Sequence, residues 1–152
     1  MTMLDSPLSA ASVDTRGNIE KRAVTADEVN RTFGEALAAQ PPKAISFTLY
    51  FETNSTEVTG GSRPTLDALF AEVAKRQAVE VQVTGHTDRV GSVADNDRLS
   101  LQRAEAVRAM LIQRGIQATY IRAVGRGERE PLVPTADEVA EARNRRVEVI
   151  VR

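Results

Sequence analysis

The sequence contains no cysteine and no tryptophan, and only 4% of its residues are aromatic. Without cysteine the chain can form neither a disulfide nor a thiolate metal site. His86 is the only histidine, so a histidine-based zinc site is not expected either, and we expect His86 to be a hydrogen-bonded loop residue. Because aromatic residues are scarce, the core must be built mainly from valine, leucine, isoleucine and alanine.

An excess of one charge and a long apolar run are also missing. Twenty basic residues balance 21 acidic ones, for a net charge of -1, so nothing predicts binding to nucleic acid or to an anionic membrane. No stretch approaches the roughly 18 apolar residues of a membrane-spanning helix, so this segment is not expected to span a bilayer. The N-terminus lacks the basic region and apolar core of a signal peptide. The length of 152 residues suits one domain with a substantial core.

The first 43 residues differ in pattern from the rest. Residues 1–23 mix small and polar types without periodicity, and we expect them to be disordered or a linker. Residues 24–43 are predicted to form a helix and a Pro-Pro linker. Thr25 and Glu28 have the spacing of a capping box, and Pro41-Pro42 is expected to end the helix. The helix is either a linker that packs loosely on the domain or a contact for a partner or a second copy.

Residues 44–152 are predicted to form one domain of alternating strands and helices. Strands are expected at 45–52, 79–84, 120–124 and 147–152, and helices after Ser62, after the Asp95-Asn96-Asp97 cluster and over 135–143. Three of the strands have one apolar and one more polar face, which favours helices on a single face of the sheet. The order β-α-β-α-β-(α)-β with right-handed crossovers predicts a two-layer α/β (α+β) sandwich with a mixed four-stranded sheet.

The chain is organised around residues 83–111, which predict a strand end, a polar loop and a long helix. The loop contains Asp88, and the Asp95-Asn96-Asp97 cluster offers helix N-cap candidates. Leu99 and Arg103 are four positions apart, so they stack on one face of the first two turns. An apolar side chain and a guanidinium beside a loop carboxylate could hold a small zwitterion. On spacing alone, a structural ion pair between Asp88 and Arg103 is an equal alternative.

These residues resemble the OmpA-like (OmpA/MotB C-terminal) peptidoglycan-binding family. The resemblance is carried by Thr84-Gly-His-Thr-Asp-Arg-Val-Gly91, then Asn96, then Leu99-Ser-Leu-Gln-Arg-Ala104. Further landmarks follow the family's order and spacing, at 51–58, 115–116, 125–131 and 144–147. The resemblance therefore covers about residues 44–152, and the two-layer architecture that it implies agrees with the one predicted from the strand and helix pattern.

The resemblance implies a ligand, namely the free end of diaminopimelate in the peptidoglycan stem peptide, whose terminal carbon bears an ammonium and a carboxylate. Asp88 matches the family's aspartate, which accepts from the ammonium, and Arg103 matches the arginine that binds the carboxylate. The other expected ligand-binding residues are a pocket-wall contact, loop residues and a rim residue: Leu99, Asn54, Thr53, Thr87, Asn96 and Asn144. An ordinary core position for Leu99 and plain turn positions for Asn54 and Thr53 are the alternatives.

The implied function is a non-catalytic module that anchors an envelope or outer-membrane protein to peptidoglycan in the periplasm, without cofactor or metal. The sequence is then expected to be the C-terminal part of a longer, membrane-anchored chain. A second hypothesis is an assembly module with a vestigial pocket that forms a homodimer through the helix at 25–40. A peptidoglycan-cleaving enzyme is disfavoured, because the chain has no cysteine, one histidine and no Gly-x-Ser-x-Gly motif. The basic cluster Arg143, Arg145 and Arg146 is interpreted as a solvated helix end or as part of the pocket rim.

Overall fold

The computed structural model describes residues 6–38, 43–76 and 79–152. The chain divides into two compact units, residues 1–42 and 43–152, and each is described by itself. The strands and helices, in chain order, are β1 Ser9–Val13, β2 Ile19–Ala23, α1 Ala26–Ala38, β3 Ile45–Tyr50, α2 Arg63–Lys75, β4 Val81–Gly85, α3 Val93–Gln113, β5 Ile121–Gly125 and β6 Arg146–Val151. Three short 3-10 helices lie at Gly60–Ser62, Ala118–Tyr120 and Ala142–Asn144.

In the first unit, β1 and β2 form an antiparallel hairpin. Its turn is held by Asp14, whose carboxylate accepts from the backbone N–H groups of Arg16 and Asn18 at 2.8 Å. Gly17 supplies the positive φ of +84° that the turn requires. Residues 9–23 thus form a hairpin where the sequence predicted a disordered segment or a linker, because local turn bonds order a segment that has no hydrophobic period.

Helix α1 begins with the predicted capping box. The backbone N–H of Glu28 donates to Thr25 Oγ1 at 3.2 Å, and the N–H of Thr25 donates to Glu28 Oε2 at 3.1 Å. None of the residues Ala26–Ala38 is buried, and Phe33 and Leu37 are exposed. The predicted helix end at Pro41-Pro42 lies outside the described residues.

The second unit contains a four-stranded sheet in the order β3-β6-β4-β5. Strand β6 is antiparallel to both β3 and β4, whereas β4 and β5 are parallel. Helices α2 and α3 pack on the sheet, α2 against β3 and α3 against β4 and β5. This confirms the predicted two-layer sandwich with a mixed sheet. The hydrophobic core, mostly aliphatic, lies between the layers and consists of Leu49, Phe51, Leu69, Val73, Val81, Val83, Ala104, Val107, Leu111, Ile121, Val147, Val149 and Val151.

Two glycines let α3 approach the strand ends closely. A Cβ on Gly85 would collide with the backbone carbonyl of Ser100, and a Cβ on Gly125 would collide with the backbone of Leu101. Ser100 Oγ also accepts from the N–H of Gly127 at 2.9 Å. The first turns of α3 are therefore fixed above the ends of β4 and β5, from which the loop carrying Asp88 departs.

The two ends of α3 are capped in different ways. Ser92 is the N-cap, and its Oγ accepts from the N–H of Asp95. The Asp95–Asp97 cluster therefore lies inside the helix, and the prediction of a cap within it is wrong. At the other end Gly115 has φ +93°, and the N–H of Ile116 donates to the carbonyl of Leu111, which closes the helix with a left-handed C-cap.

The helix predicted over 135–143 is not formed. The segment contains a turn, with Glu138 at φ +60°, and ends in the 3-10 helix Ala142–Asn144. Its backbone bonds to another loop instead of to itself, since the N–H of Glu138 donates to the carbonyl of Arg89 at 2.8 Å. Tertiary contacts thus override a charge pattern that favoured a helix.

Candidate functional site

A cavity of about 560 Å³ lies beside the first turns of α3. Its walls come from the loop after β3, the loop after β4, α3 itself and the segment before β6. The lining residues are Thr53, Asn54, Asp88, Val90, Gly91, Asp95, Asn96, Arg98, Leu99, Gln102, Arg103, Ala140 and Arg145. Both charge signs and apolar side chains therefore face the same space.

The structure brings together six of the eight residues expected to bind a ligand, and the binding role of each stays a prediction. The six are Asp88, Arg103, Leu99, Asn54, Thr53 and Asn96. Thr87 is buried, and its backbone N–H donates to the carbonyl of Gly127 at 2.9 Å. Asn144 is also buried, and its side-chain amide exchanges two hydrogen bonds of 2.8 Å with the backbone of Val133. Neither of these two residues lines the cavity.

Arg103 is fully buried and is held by main-chain carbonyl groups. Its Nε donates to the carbonyl of Ser55 at 2.8 Å, Nη1 to that of His86 at 3.2 Å, and Nη2 to that of Glu52 at 3.0 Å. The guanidinium carbon also lies 5.5 Å from the centre of the Phe51 ring. Arg103 thus ties α3 to the loop after β3 and to the end of β4.

The charge of Arg103 survives its burial. Desolvation lowers the pKa of the guanidinium to about 10, an effect that nearby Asp88 opposes and nearby Arg145 reinforces. A pKa near 10 keeps the side chain protonated at neutral pH. The cavity therefore has a fixed positive group in its wall.

Asp88 is paired with Arg145, not with Arg103. Its Oδ2 accepts from Arg145 Nη1 at 2.8 Å and from the backbone N–H of Glu141 at 3.3 Å. The Asp88 and Arg145 side chains are 10% and 15% exposed, so the pair lies in the wall and still reaches the cavity. The contacts of the described residues therefore include no ion pair between Asp88 and Arg103, which was the structural alternative.

The sequence left two interpretations open for Arg145, a solvated helix end and part of the pocket rim, and the structure places it in the cavity lining. A signal for it exists in the strand pairing. Gly85 pairs with Val147 in the antiparallel β4–β6 ladder, so the residue two positions before Val147 lies opposite the residue two positions after Gly85. That register places Arg145 beside the loop that carries Asp88.

The other predicted loop residues shape the cavity walls. Asn54 adopts a left-handed conformation with φ +48° in the turn after β3, so the turn role expected as an alternative is present. Asn96 is 4% exposed, and its Nδ2 donates to Glu128 Oε2 at 2.6 Å, which ties α3 to the loop after β5. Both residues line the cavity, so a structural role and contact with a ligand are compatible.

His86 is bonded through its backbone only. Its N–H donates to the carbonyl of Arg146 at 2.8 Å, and its carbonyl accepts from Arg103. The buried ring nitrogens have no hydrogen-bond partner among the described residues, so the hydrogen bonds of this loop residue are made by its backbone. Burial, helped by the positive charge of Arg146, lowers the pKa of His86 to about 4. The ring is therefore neutral at neutral pH.

Within residues 6–38, 43–76 and 79–152, no group of three or more His, Cys, Asp or Glu side chains could hold a metal ion. In the same ranges, no helix combines the length and the apolar character needed to cross a membrane.

Comparison with known proteins identifies the family. The model of the OmpA family matches residues 50–145, which include the loop after β3, Asp88, all of α3 and Arg145. The chain belongs to the OmpA family. This confirms the resemblance carried by the motifs around Asp88 and Arg103.

OmpA-family relatives cover most of the chain. Outer membrane porin F of Pseudomonas fluorescens is 36% identical over 107 residues, which is 70% of this chain and 33% of the relative. Outer membrane protein P5 of Haemophilus influenzae is 32% identical over 78% of this chain and 37% of its own length. The chain thus spans about a third of these two relatives. The peptidoglycan-associated lipoprotein of Haemophilus influenzae is 36% identical over 76% of this chain and 75% of its own length.

Solved structures agree on the fold. The peptidoglycan-associated lipoprotein from Burkholderia pseudomallei superimposes with a TM-score of 0.62 and 27% identity, over 70% of this chain and 90% of that one. The periplasmic domain of Helicobacter pylori MotB superimposes with a TM-score of 0.58 and 22% identity, over 74% and 75% of the two chains, and supports the fold alone. The OmpA-family architecture predicted from sequence is therefore confirmed.

Proposed function

We propose that residues 43–152 form a non-catalytic peptidoglycan-binding module that attaches an envelope protein to the cell wall. The observation that carries the proposal is the cavity of about 560 Å³, which has the Asp88 carboxylate and the guanidinium of Arg103 in one lining. Membership of the OmpA family and the 36% identity to a peptidoglycan-associated lipoprotein over three quarters of both chains support it.

The proposed ligand within peptidoglycan is the free end of diaminopimelate. This group carries an ammonium and a carboxylate on one carbon, so it needs an acceptor and a donor side by side. A carboxylate is acceptor-only and a guanidinium presents a planar set of donors. Charge-assisted hydrogen bonds contribute about 1.5–3 kcal/mol each. Two such bonds with apolar contact from Leu99 support micromolar-class binding, which multiple sites along a polymeric wall would strengthen.

The proposed location is the periplasm, in association with the outer membrane or another part of the envelope. Two relatives are named as outer-membrane proteins and a third as a peptidoglycan-associated lipoprotein. Because the chain spans about a third of the first two, we propose that the module belongs to a longer membrane-anchored protein and supplies its attachment to the wall.

Co-sedimentation with purified sacculi tests the proposal. We expect the chain to sediment with sacculi from a diaminopimelate-containing wall, and Asp88→Ala to remain in the supernatant with an unchanged circular dichroism spectrum. The matched control is Asp67→Ala, an exposed acid on α2, which contributes nothing to the cavity lining. Equal sedimentation of Asp88→Ala and the original chain would contradict the site, and release of soluble muropeptides would contradict the non-catalytic role.

A second candidate function is dimerisation through α1. Phe33 and Leu37 lie one helical turn apart and are 56% and 43% exposed, so α1 has an uncovered apolar stripe. Sedimentation equilibrium of the chain and of residues 43–152 alone tests this function. A dimer that is lost on removal of residues 1–42 would support it, and a monomer in both cases would contradict it.

A further inference from the structure

We infer that Arg89 and Glu138 are positioning residues, whose contacts with each other's segments hold two walls of the cavity together. These contacts are called the clasp below. The inference rests on the proposed function, because it concerns how the cavity keeps the shape that binds. One wall is the loop after β4, which contributes Val90 and Gly91, and the other is the segment before β6, which contributes Ala140. Neither Arg89 nor Glu138 is part of the cavity lining.

Arg89 reaches from the loop after β4 to the segment before β6. Its Nη1 donates to the carbonyl of Thr135 at 3.1 Å, and its Nη2 forms an ion pair with Asp137. Its Nε also lies 3.8 Å from a carboxylate oxygen of Glu128 in the loop after β5. The side chain is 36% exposed, so solvent weakens each charged contact. Arg89 therefore holds the segment through several modest contacts at once.

Glu138 reaches in the opposite direction. Its backbone N–H donates to the carbonyl of Arg89 at 2.8 Å, and its Oε2 accepts from the N–H of Gly91 at 3.2 Å. Glu138 has φ +60°, a left-handed conformation that a glutamate rarely adopts. Such a conformation persists only where the surrounding contacts over-determine it. The two hydrogen bonds to the loop after β4 supply that constraint.

The segment before β6 has little hydrophobic packing of its own. Residues 136–140 are all exposed, and they include Val139, which is 46% exposed. The next contact with the loop after β4 comes from the N–H of Glu141, which donates to Asp88 Oδ2 at 3.3 Å. Without the clasp, the wall that carries Ala140 would therefore be free to move away from Asp88.

Closure of the clasp and binding of a ligand should favour each other. A ligand that contacts both walls binds better when the walls are held together, and by reciprocity the bound ligand stabilises the closed clasp. Loss of the clasp should weaken binding about three- to thirtyfold, the range typical of coupled residues that do not touch the ligand. Residues that served only the stability of the fold would show no such linkage.

NMR titration with the tripeptide L-Ala-γ-D-Glu-meso-diaminopimelate tests the role of Arg89. Arg89→Met should bind the tripeptide about three- to thirtyfold more weakly than the original chain. Arg89→Lys keeps a charge beside Asp137 and should recover most of the affinity. The matched control is Arg108→Met, because Arg108 is 30% exposed, pairs with Glu105, donates to a backbone carbonyl and does not line the cavity. It should bind like the original chain.

Glu138→Gly separates binding from stability. Glycine adopts φ +60° without strain, so the melting temperature should change by less than about 3 °C. The acceptor for the N–H of Gly91 is nevertheless lost, and we expect affinity for the tripeptide to fall about threefold or more. Hydrogen exchange gives a direct readout of the linkage. The bound tripeptide should slow exchange of the Glu138 N–H in the original chain, and it should do so less in Arg89→Met.

The outcomes separate the inference from the proposed function. Failure of the original chain to bind either the tripeptide or sacculi overturns the proposed function. If the original chain binds, affinities of Arg89→Met and Glu138→Gly within about twofold of it overturn the inference alone. An equal loss in Arg108→Met, or exchange of the Glu138 N–H that the tripeptide does not change, also overturns the inference. Thermal melts show whether Arg89→Met is folded, and Glu138→Gly decides the question if it is not.

Discussion

The two faces of α3 have opposite surroundings. The face toward the sheet carries Ser100, Ala104, Val107 and Leu111, all 0% exposed, and the helix backbone nearly touches Gly85. The face toward the cavity carries side chains such as Arg98, which is 66% exposed. One face is therefore fixed by packing, while the other is free to contact a ligand.

Arg103 lies where the two faces meet. It is as buried as the core residues, yet it belongs to the cavity lining. Its hydrogen bonds connect the packed face to the loops that form the cavity walls. The comparison teaches that a residue matched to a binding motif can also build the site, because its hydrogen bonds hold the surrounding loops in place.

The largest loss of stability should come from Arg103→Met. This change leaves three carbonyl groups without their donor, at roughly 1–3 kcal/mol for each buried unsatisfied group, so we expect a loss of about 4 kcal/mol in the free energy of unfolding. Urea denaturation measures it. Arg98→Met, on the exposed face of the same helix, should change stability by less than about 0.5 kcal/mol. Similar losses in the two variants would break the distinction between the faces.

Low pH should reduce the free energy of unfolding because the buried His86 ring is neutral in the folded protein. The pKa of His86 is about 4 in the folded protein, below its ordinary 6.5. Between these values the unfolded chain binds a proton that the folded chain does not, so stability is complete above pH 7 and is lost as pH falls. From pH 7 to pH 5 the loss should be about 2 kcal/mol, by the conversion of 1.36 kcal/mol for each pKa unit.

The control for this effect is His86→Gln, since the sequence has no other histidine. Urea unfolding at pH 5, 6 and 7 should give a clearly flatter dependence for the variant. The charged groups acting on the ring are Arg146 and Arg126, which lower its pKa, and Glu148 and Glu130, which raise it. Parallel curves for the two proteins would show that the ring is not responsible.

The smallest effect should come from Ser92→Ala. Ser92 caps α3 by accepting from the N–H of Asp95 at 3.1 Å, and its own hydroxyl donates to Asp95 Oδ2 at 2.6 Å. Loss of a serine cap costs typically about 1 kcal/mol. Urea denaturation should show a loss of this size, and Ser92→Asp should recover most of it. A loss as large as that of Arg103→Met would mean that the N-terminus of α3 contributes as much to stability as the buried Arg103.

Much of this domain could be predicted because its signals are local or carried by a motif. Alternating apolar residues predicted the strands, and the family motif that carries Asp88, Leu99 and Arg103 predicted that these residues share a site. The engagement of Arg103 could not be predicted, since its partners are carbonyls of residues 48 and 51 positions away, Ser55 and Glu52, and of His86. A backbone carbonyl has no sequence signature.

The misses have physical causes of the same kind. Arg145 pairs with Asp88 across 57 positions, and only the strand register brings the two together. The segment 135–143 has a helical charge pattern but bonds to the loop after β4 instead. The hairpin of residues 9–23 depends on side chain–backbone bonds of Asp14, which a search for hydrophobic periodicity does not detect.

The position of β6 has a consequence for how the domain is assembled. The described pairings join β3 to the sheet through β6 alone, and β6 also borders β4. Strand β6 follows β3, β4 and β5 in the chain and is the strand that unites the two halves of the sheet, and Arg145 directly precedes it. A nascent chain lacking β6 has neither a complete sheet nor a closed cavity, so both should form abruptly once β6 is available and not by degrees.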